Sequence, residues 1–181
     1  MSSEALIALS GIAFTYPGAT QPVLSGIDFA LKPGERVGLY GPNGSGKTTL
    51  LHIMMGLIRP DCGEVRFKGE VVVTEREFRA VRQAIGLLLQ NADDQIIYPT
   101  VLDDVAFGPL NRGLSPEKAR QVAERTLSML GLADFGERLS HRLSGGEKKL
   151  VSLAGVLAME PEALLLDEPT NGLDPDTRTC I

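Results

Sequence analysis

The chain has 181 residues, 43% of them hydrophobic and 23% charged, enough for one ordinary folded domain and too few for two full ones. Its 18 Lys and Arg stand against 23 Asp and Glu, and a net charge of −5 gives no basic excess that would point to nucleic acid or anionic lipid. No run reaches the roughly 20 apolar residues of a membrane helix, and the start MSSEALIALSG lacks the positive flank and apolar stretch of a leader, so the chain is expected to be neither spanning nor secreted.

From the N-terminus, LIALSGIAF (Leu6 to Phe14) and the stretch from Val23 to Leu31 read as strands of a small antiparallel sheet. A turn at Lys32 to Glu35 launches RVGLY, Arg36 to Tyr40, whose apolar run predicts a buried strand. A glycine-rich loop follows. From Lys47 onward Leu50, Ile53, Met54 and Leu57 recur at helical spacing, closed by Gly56 and Pro60. GEVRFKGEVVV (Gly63 to Val73) returns to short strands, AIGLLL (Ala84 to Leu89) predicts another buried strand, and a polar loop is expected after Gln90. Ser115-Pro116 opens a helix with Ala119, Val122, Ala123, Leu127 and Leu130 as its stripe. A further helix starts near Ser144, and ALLLD (Ala163 to Asp167) predicts a last strand. Strands separated by helices, one of them ending in a glycine loop, predict a mainly parallel α/β sheet.

Gly41-Pro42-Asn43-Gly44-Ser45-Gly46-Lys47-Thr48 fits the G-x-x-x-x-G-K-[ST] phosphate loop in the context it needs, after a strand and before a helix. Its glycines let backbone N–H groups turn toward phosphate oxygens, Lys47 is placed to reach the β- and γ-phosphates, and the Thr48 hydroxyl is a magnesium ligand. Asp167 and Glu168 end an apolar strand, where one acid can serve Mg²⁺ and the next polarise a water; taken without the loop, a solvated strand end accounts for them equally well. In Leu143-Ser144-Gly145-Gly146-Glu147 the S-x-x-E pattern is a capping box, and its two glycines also expose N–H groups at a helix start that suits an anion.

GPNGSGKTT, LSGGE, ALLLDEPT and NGLDP, in this order, resemble the ATP-binding cassette ATPases, over nearly the whole chain as far as Asp176. The resemblance implies a P-loop NTPase with a RecA-like core, an antiparallel β subdomain and a helical insert. Residues 1–90 then form the nucleotide-binding core with the antiparallel subdomain, 91–155 the helical subdomain with the signature motif, and 156–181 the return to the core. It implies ATP and Mg²⁺ as cofactors, held by the loop residues from Gly41 through Thr49, with Asp167 and Gln90 also serving the metal. Tyr16 is implied as the aromatic stacking on adenine, although a strand-end aromatic packing on the sheet remains an alternative, as a solvated strand end does for Gln90. Glu168 is implied as the catalytic base, alongside Lys47 and Gln90. Ser144, Gly145 and Gly146 are implied to bind the nucleotide of a second protomer in a head-to-tail homo- or heterodimer, with Asp174 in the loop linking the two sites.

QNADDQIIYPTVLDDVAFGPLNRGLS (Gln90 to Ser115) is similar to the ATPase subunits of energy-coupling-factor importers, especially the cobalt and nickel type. This implies integral membrane coupling and substrate-binding partners, no nucleic acid, and a peripheral place on the cytoplasmic face of the membrane, with cobalt, nickel or a vitamin as cargo. A soluble cassette ATPase of DNA repair or translation and a nucleotide-binding module with little turnover are the alternatives. Asp93, Asp94, Asp103 and Asp104 lack the histidine or thiol company that cobalt favours, and His52, His141, Cys62 and Cys180 stand apart with no ligand spacing. The family pattern continues past NGLDP with a helix and a core strand bearing a switch histidine, whereas here no histidine follows Asp174. The expectation is a C-terminally truncated cassette, with an empty place beside the strand leading to Gly41 and with poor stability and turnover on its own.

Overall fold

The computed structural model describes residues 4–170, in two compact units that meet at residues 85 and 86. Asp174 lies outside the described residues. In the first unit β1 (Ile7–Phe14), β2 (Leu24–Leu31), β3 (Cys62–Phe67) and β4 (Glu70–Val72) form a four-stranded sheet ordered β2-β1-β3-β4, with every pair antiparallel. The register sets Ile7 against Leu31 on one side and against Phe67 on the other, and shifts between Leu9 and Ile12 bend β1 along its length. Ile7, Leu9, Ile12 and Val65 turn one face inward.

Two helices complete this unit. α1 (Lys47–Met54) buries Thr49, Leu50, Leu51, Ile53 and Met54, and the chain leaves it through Gly56 at φ 68°. A Cβ on Gly56 would stand 2.3 Å from the Phe78 ring, so both the turn and the approach of that ring require glycine. α2 (Glu75–Ala84) was not anticipated from the residues. It opens on a full capping box between Thr74 and Glu77 and buries Phe78, Val81 and Ala84, while Arg82 donates to the Met55 carbonyl at 3.0 Å.

The expected strand at Arg36–Tyr40 does not form. No described strand runs beside it, and a buried strand exists only through the ladder that satisfies its backbone. Tyr40 is correspondingly 96% exposed and Val37 51%.

The second unit holds β5 (Ile85–Leu88), paired with β6 (Ala163–Leu166), and three helices. The mainly parallel sheet expected from the residues thus reduces, among the described residues, to this two-stranded pair. α3 (Val101–Asn111) replaces part of the expected polar loop, capped by Thr100, whose hydroxyl accepts from the Asp103 N–H. α4 (Pro116–Met129) starts from Ser115 with proline at its first position, and α5 (Gly145–Leu157) starts from Ser144. Val101 and Val105 of α3, Ala119, Ala123 and Leu127 of α4, and Val151 and Ala154 of α5 form one buried cluster. Alanines on α4 at the spacing i, i+4 let the helices approach closely.

Candidate nucleotide site

In the first unit, the loop from Gly41 to Gly46 runs directly into α1. Gly46 has φ 89°, and a Cβ there would meet a Leu24 methyl at 2.7 Å and the Val23 carbonyl at 3.1 Å, so a side chain is excluded by both conformation and space. No side chain caps the first turn and no acid lies in it, which leaves the positive end of the helix uncompensated. Lys47 folds back over the loop, its Nζ donating to the Gly41 carbonyl at 2.9 Å and to the Pro42 carbonyl at 3.0 Å. An ammonium held only by neutral carbonyls is ready to exchange them for a phosphate. Gly41, Pro42, Asn43, Gly44 and Ser45 are all exposed, and Thr48 is half-buried. This donor set of backbone N–H groups, one cation and one hydroxyl fits a polyphosphate with its magnesium.

Tyr16 lies just past β1. Its ring meets Phe14 edge-on at 4.9 Å between centroids, and its hydroxyl pairs with the Thr49 hydroxyl at 2.9 Å, while 45% of the residue stays exposed. The Thr49 side chain is therefore turned to Tyr16 and buried, and what Thr49 can offer a phosphate is its first-turn N–H.

The second unit gathers Gln90, Asp167 and Glu168 where β5 and β6 end. The Asp167 N–H bonds the Leu88 carbonyl at 3.0 Å, extending the pairing by one residue, and Asp167 itself is buried. Glu168 then leaves the strand at φ 46°, in the left-handed region, and its Oε2 accepts from Gln90 Nε2 at 2.9 Å. The pairing of the strands thus brings a glutamine and a carboxylate 78 residues apart into one hydrogen bond.

Lys149, on α5, was not singled out from the residues. It is buried to 3% exposure, with Nζ donating to the carbonyls of Gln90 at 2.7 Å, Glu168 at 3.3 Å and Leu89 at 3.4 Å. Burial pushes its ammonium below the ordinary lysine range, and the carboxylates of Asp167 and Glu168 oppose that shift. The signal available in the residues was a lysine at i−4 from Leu153, inside the apolar stripe of the helix.

At the start of α5, Ser144 and Glu147 complete a reciprocal box: the Ser144 hydroxyl accepts from the Glu147 N–H at 3.3 Å, and Glu147 accepts from the Ser144 N–H at 2.7 Å. The N–H groups of Gly145 and Gly146 stay outside this box. The four aspartates are all engaged with protein groups: Asp93 with Lys148 of α5, Asp94 with Asn91, Asp103 with Thr100, and Asp104 with the N–H groups of Ile97 and Tyr98.

The family model described as ABC transporter matches residues 24–171. The chain is 62% identical over 173 residues to a putative ABC transporter ATP-binding protein of Nitratidesulfovibrio vulgaris, covering 96% of this chain and 63% of that protein. It is 46% identical over 177 residues to the energy-coupling factor transporter ATP-binding protein EcfA of Methanothermobacter thermautotrophicus, covering 97% of this chain and 57% of the relative. The chain therefore spans about three-fifths of the length of these curated relatives. Among solved structures, cbiO1 of Clostridium perfringens, part of the ABC transporter complex cbiONQ, superposes with a TM-score of 0.83 at 33% identity, covering 98% of this chain and 70% of that one. A dimeric bacterial ABC transporter cassette, MJ0796, superposes with a TM-score of 0.86 at 32% identity, covering 97% and 79%. With the phosphate loop, the signature helix and the acidic strand end all inside the matched span, the chain belongs to the ABC transporter family and has the fold of its P-loop ATPase cassette.

Proposed function

We propose that this chain is the ATP-binding and ATP-hydrolysing subunit of an importer of the energy-coupling-factor type, driving uptake of cobalt, nickel or a vitamin through membrane subunits. The observation that carries the hydrolytic part is the hydrogen bond from Gln90 to Glu168, which sets a carboxylate beside the buried Asp167 at the end of a strand. The importer part is supported by the EcfA relatives and by the cbiO1 neighbour. Bound ATP with its magnesium supplies the transferable phosphoryl group and the charge that polarises it. The chain's own residues do the rest. Backbone N–H groups of the loop and of the first turn of α1 bind phosphate oxygens, Pro42 having none to give, Lys47 neutralises developing charge, and Tyr16 takes the base. Thr48, Gln90 and Asp167 would hold the metal. Glu168, steadied by the Gln90 amide, orients the water and takes its proton.

Ser144, Gly145 and Gly146 are assigned to the nucleotide of a second protomer, so the working form is a dimer docked on integral membrane subunits at the cytoplasmic face. Among the described residues no helix is long and apolar enough to cross a membrane. The test is Glu168→Gln in the assembled complex: hydrolysis is expected to fall by about 10²–10⁴-fold, as when a general base is removed, while ATP binding persists. Wild-type turnover in that variant removes Glu168 from its role. Recovery of small integral membrane proteins with the chain from detergent-solubilised membranes tests the importer assignment.

A further inference from the structure

The buried cation of the second unit has no part in the proposed mechanism. Lys149 has given up water to sit at 3% exposure, yet all three of its hydrogen bonds go to backbone carbonyls and none to a carboxylate. An apolar side chain would fill a helix–strand contact at smaller cost. What a lysine adds is three donors on one point, and here those donors satisfy carbonyls that the two strands have left behind. Leu89 and Gln90 follow the last residue of β5, and Glu168 lies two past the end of β6, so none of the three carbonyls has a place in the β5–β6 ladder.

Two of these carbonyls belong to the residues whose side chains meet at 2.9 Å. Glu168 stands at φ 46°, a backbone state that a glutamate keeps only where its surroundings hold it. The bond from Nζ to its carbonyl is such a hold. Lys149 also sits five residues after Ser144 on one helix, so the same ammonium fastens the start of α5 to the strand ends.

We infer that Lys149 is a positioning residue, whose ammonium fixes the backbone under Gln90 and Glu168 and ties it to the signature helix at Ser144. The inference rests on the ATPase reading given above. Lys149 touches neither nucleotide nor water in this role, and its removal acts on the chemical step through Glu168 while the phosphate loop keeps its contacts.

The experiment is steady-state hydrolysis and equilibrium ATP binding in the assembled complex, comparing the unsubstituted chain with Lys149→Met, which keeps the stem and loses the donors, and Lys149→Gln, which keeps a neutral donor. Lys149→Met is expected to lower kcat at least about tenfold while KM and the ATP Kd stay within about twofold, the split of an interaction used only in the chemical step. Lys149→Gln is expected to fall between the two. If Lys149→Met does not fold, as shown by its melt, the split is read from Lys149→Gln. A kcat within twofold of the unsubstituted chain, or a fall in kcat matched by an equal weakening of ATP binding, overturns the inference. Absence of hydrolysis by the unsubstituted chain overturns the ATPase reading instead, so the two failures are distinguishable.

Discussion

α1 and α5 both begin at glycine-rich turns, yet their first turns are built in opposite ways. At α1 the N-cap is Gly46, with no side-chain bond and no acid in the turn that follows. At α5 the cap is Ser144, reciprocated by Glu147, which satisfies two N–H groups and sets a negative charge against the helix dipole. A cap is worth about 1 kcal/mol, and α1 does without one because five of its eight residues are buried. Its stability comes from packing rather than from a side-chain cap at its first turn. α5 satisfies its own end and holds only the glycine N–H groups outside the box. The first design suits tight capture of a phosphate, the second a firm edge that meets a ligand held elsewhere.

That contrast breaks most sharply at Ser144. If the start of α5 acts on the nucleotide of the opposite protomer, Ser144→Arg obstructs closure and is expected to lower turnover by more than about a hundredfold, comparable to losing a preorganised donor, while ATP affinity of the single chain stays within about threefold. Turnover and equilibrium nucleotide binding, measured on one preparation, check this. Loss of single-chain binding would place both helix starts at one nucleotide and sink the head-to-tail arrangement.

The opposite outcome is expected at the other start. Lys47→Ala removes the one cation of the loop, and ATP binding is expected to weaken roughly tenfold to a hundredfold, as for a charge-assisted hydrogen bond lost to a phosphate. Isothermal calorimetry with ATP reads this directly. An unchanged affinity would mean that the backbone N–H groups alone hold the nucleotide, and that Lys47 keeps its bonds to Gly41 and Pro42.

How much of this could be seen beforehand differs between the same regions. The phosphate loop, the box at Ser144 and the strand ending at Asp167 are local patterns, and local patterns survive folding. α3 was hidden because it contains Gly108 and Pro109, both poor helix formers, and Pro109 has no N–H to return to the Val105 carbonyl. α2 announced itself only by Thr74 and Glu77, since its three buried residues lie among charges. The run at Arg36–Tyr40 has the composition of a strand, but a strand needs a neighbour, and composition does not supply one. Lys149 showed only as a lysine within an apolar stripe, and its role stayed hidden for a related reason: its partners are carbonyls on two strand ends remote in sequence, and no spacing encodes them.

The smallest effect isolates the charge in the α5 cap, the feature that α1 lacks. The N–H of Ser144, then its hydroxyl, and to a lesser degree Arg138, hold the Glu147 carboxyl below the usual glutamate range, with burial opposing them. A depressed folded value means that the charged form favours the fold. Its contribution is therefore complete above about pH 4.3, the ordinary glutamate value, and is lost as pH falls through the depressed one. Glu147→Gln keeps an acceptor oxygen and removes only the charge. Because the side chain is one-third exposed and screened by solvent, the loss near neutral pH is expected to be no more than about 1 kcal/mol. The gap between the two proteins should then narrow as pH falls below about 4.3 and through the depressed value. The second box, at Glu77, has the same sign but is common to both proteins and cancels in the difference. Chemical denaturation at stepped pH reads the gap. A difference that stays constant down to pH 3 would show that the box works through its hydrogen bonds alone, and that the two helix starts differ in geometry but not in electrostatics.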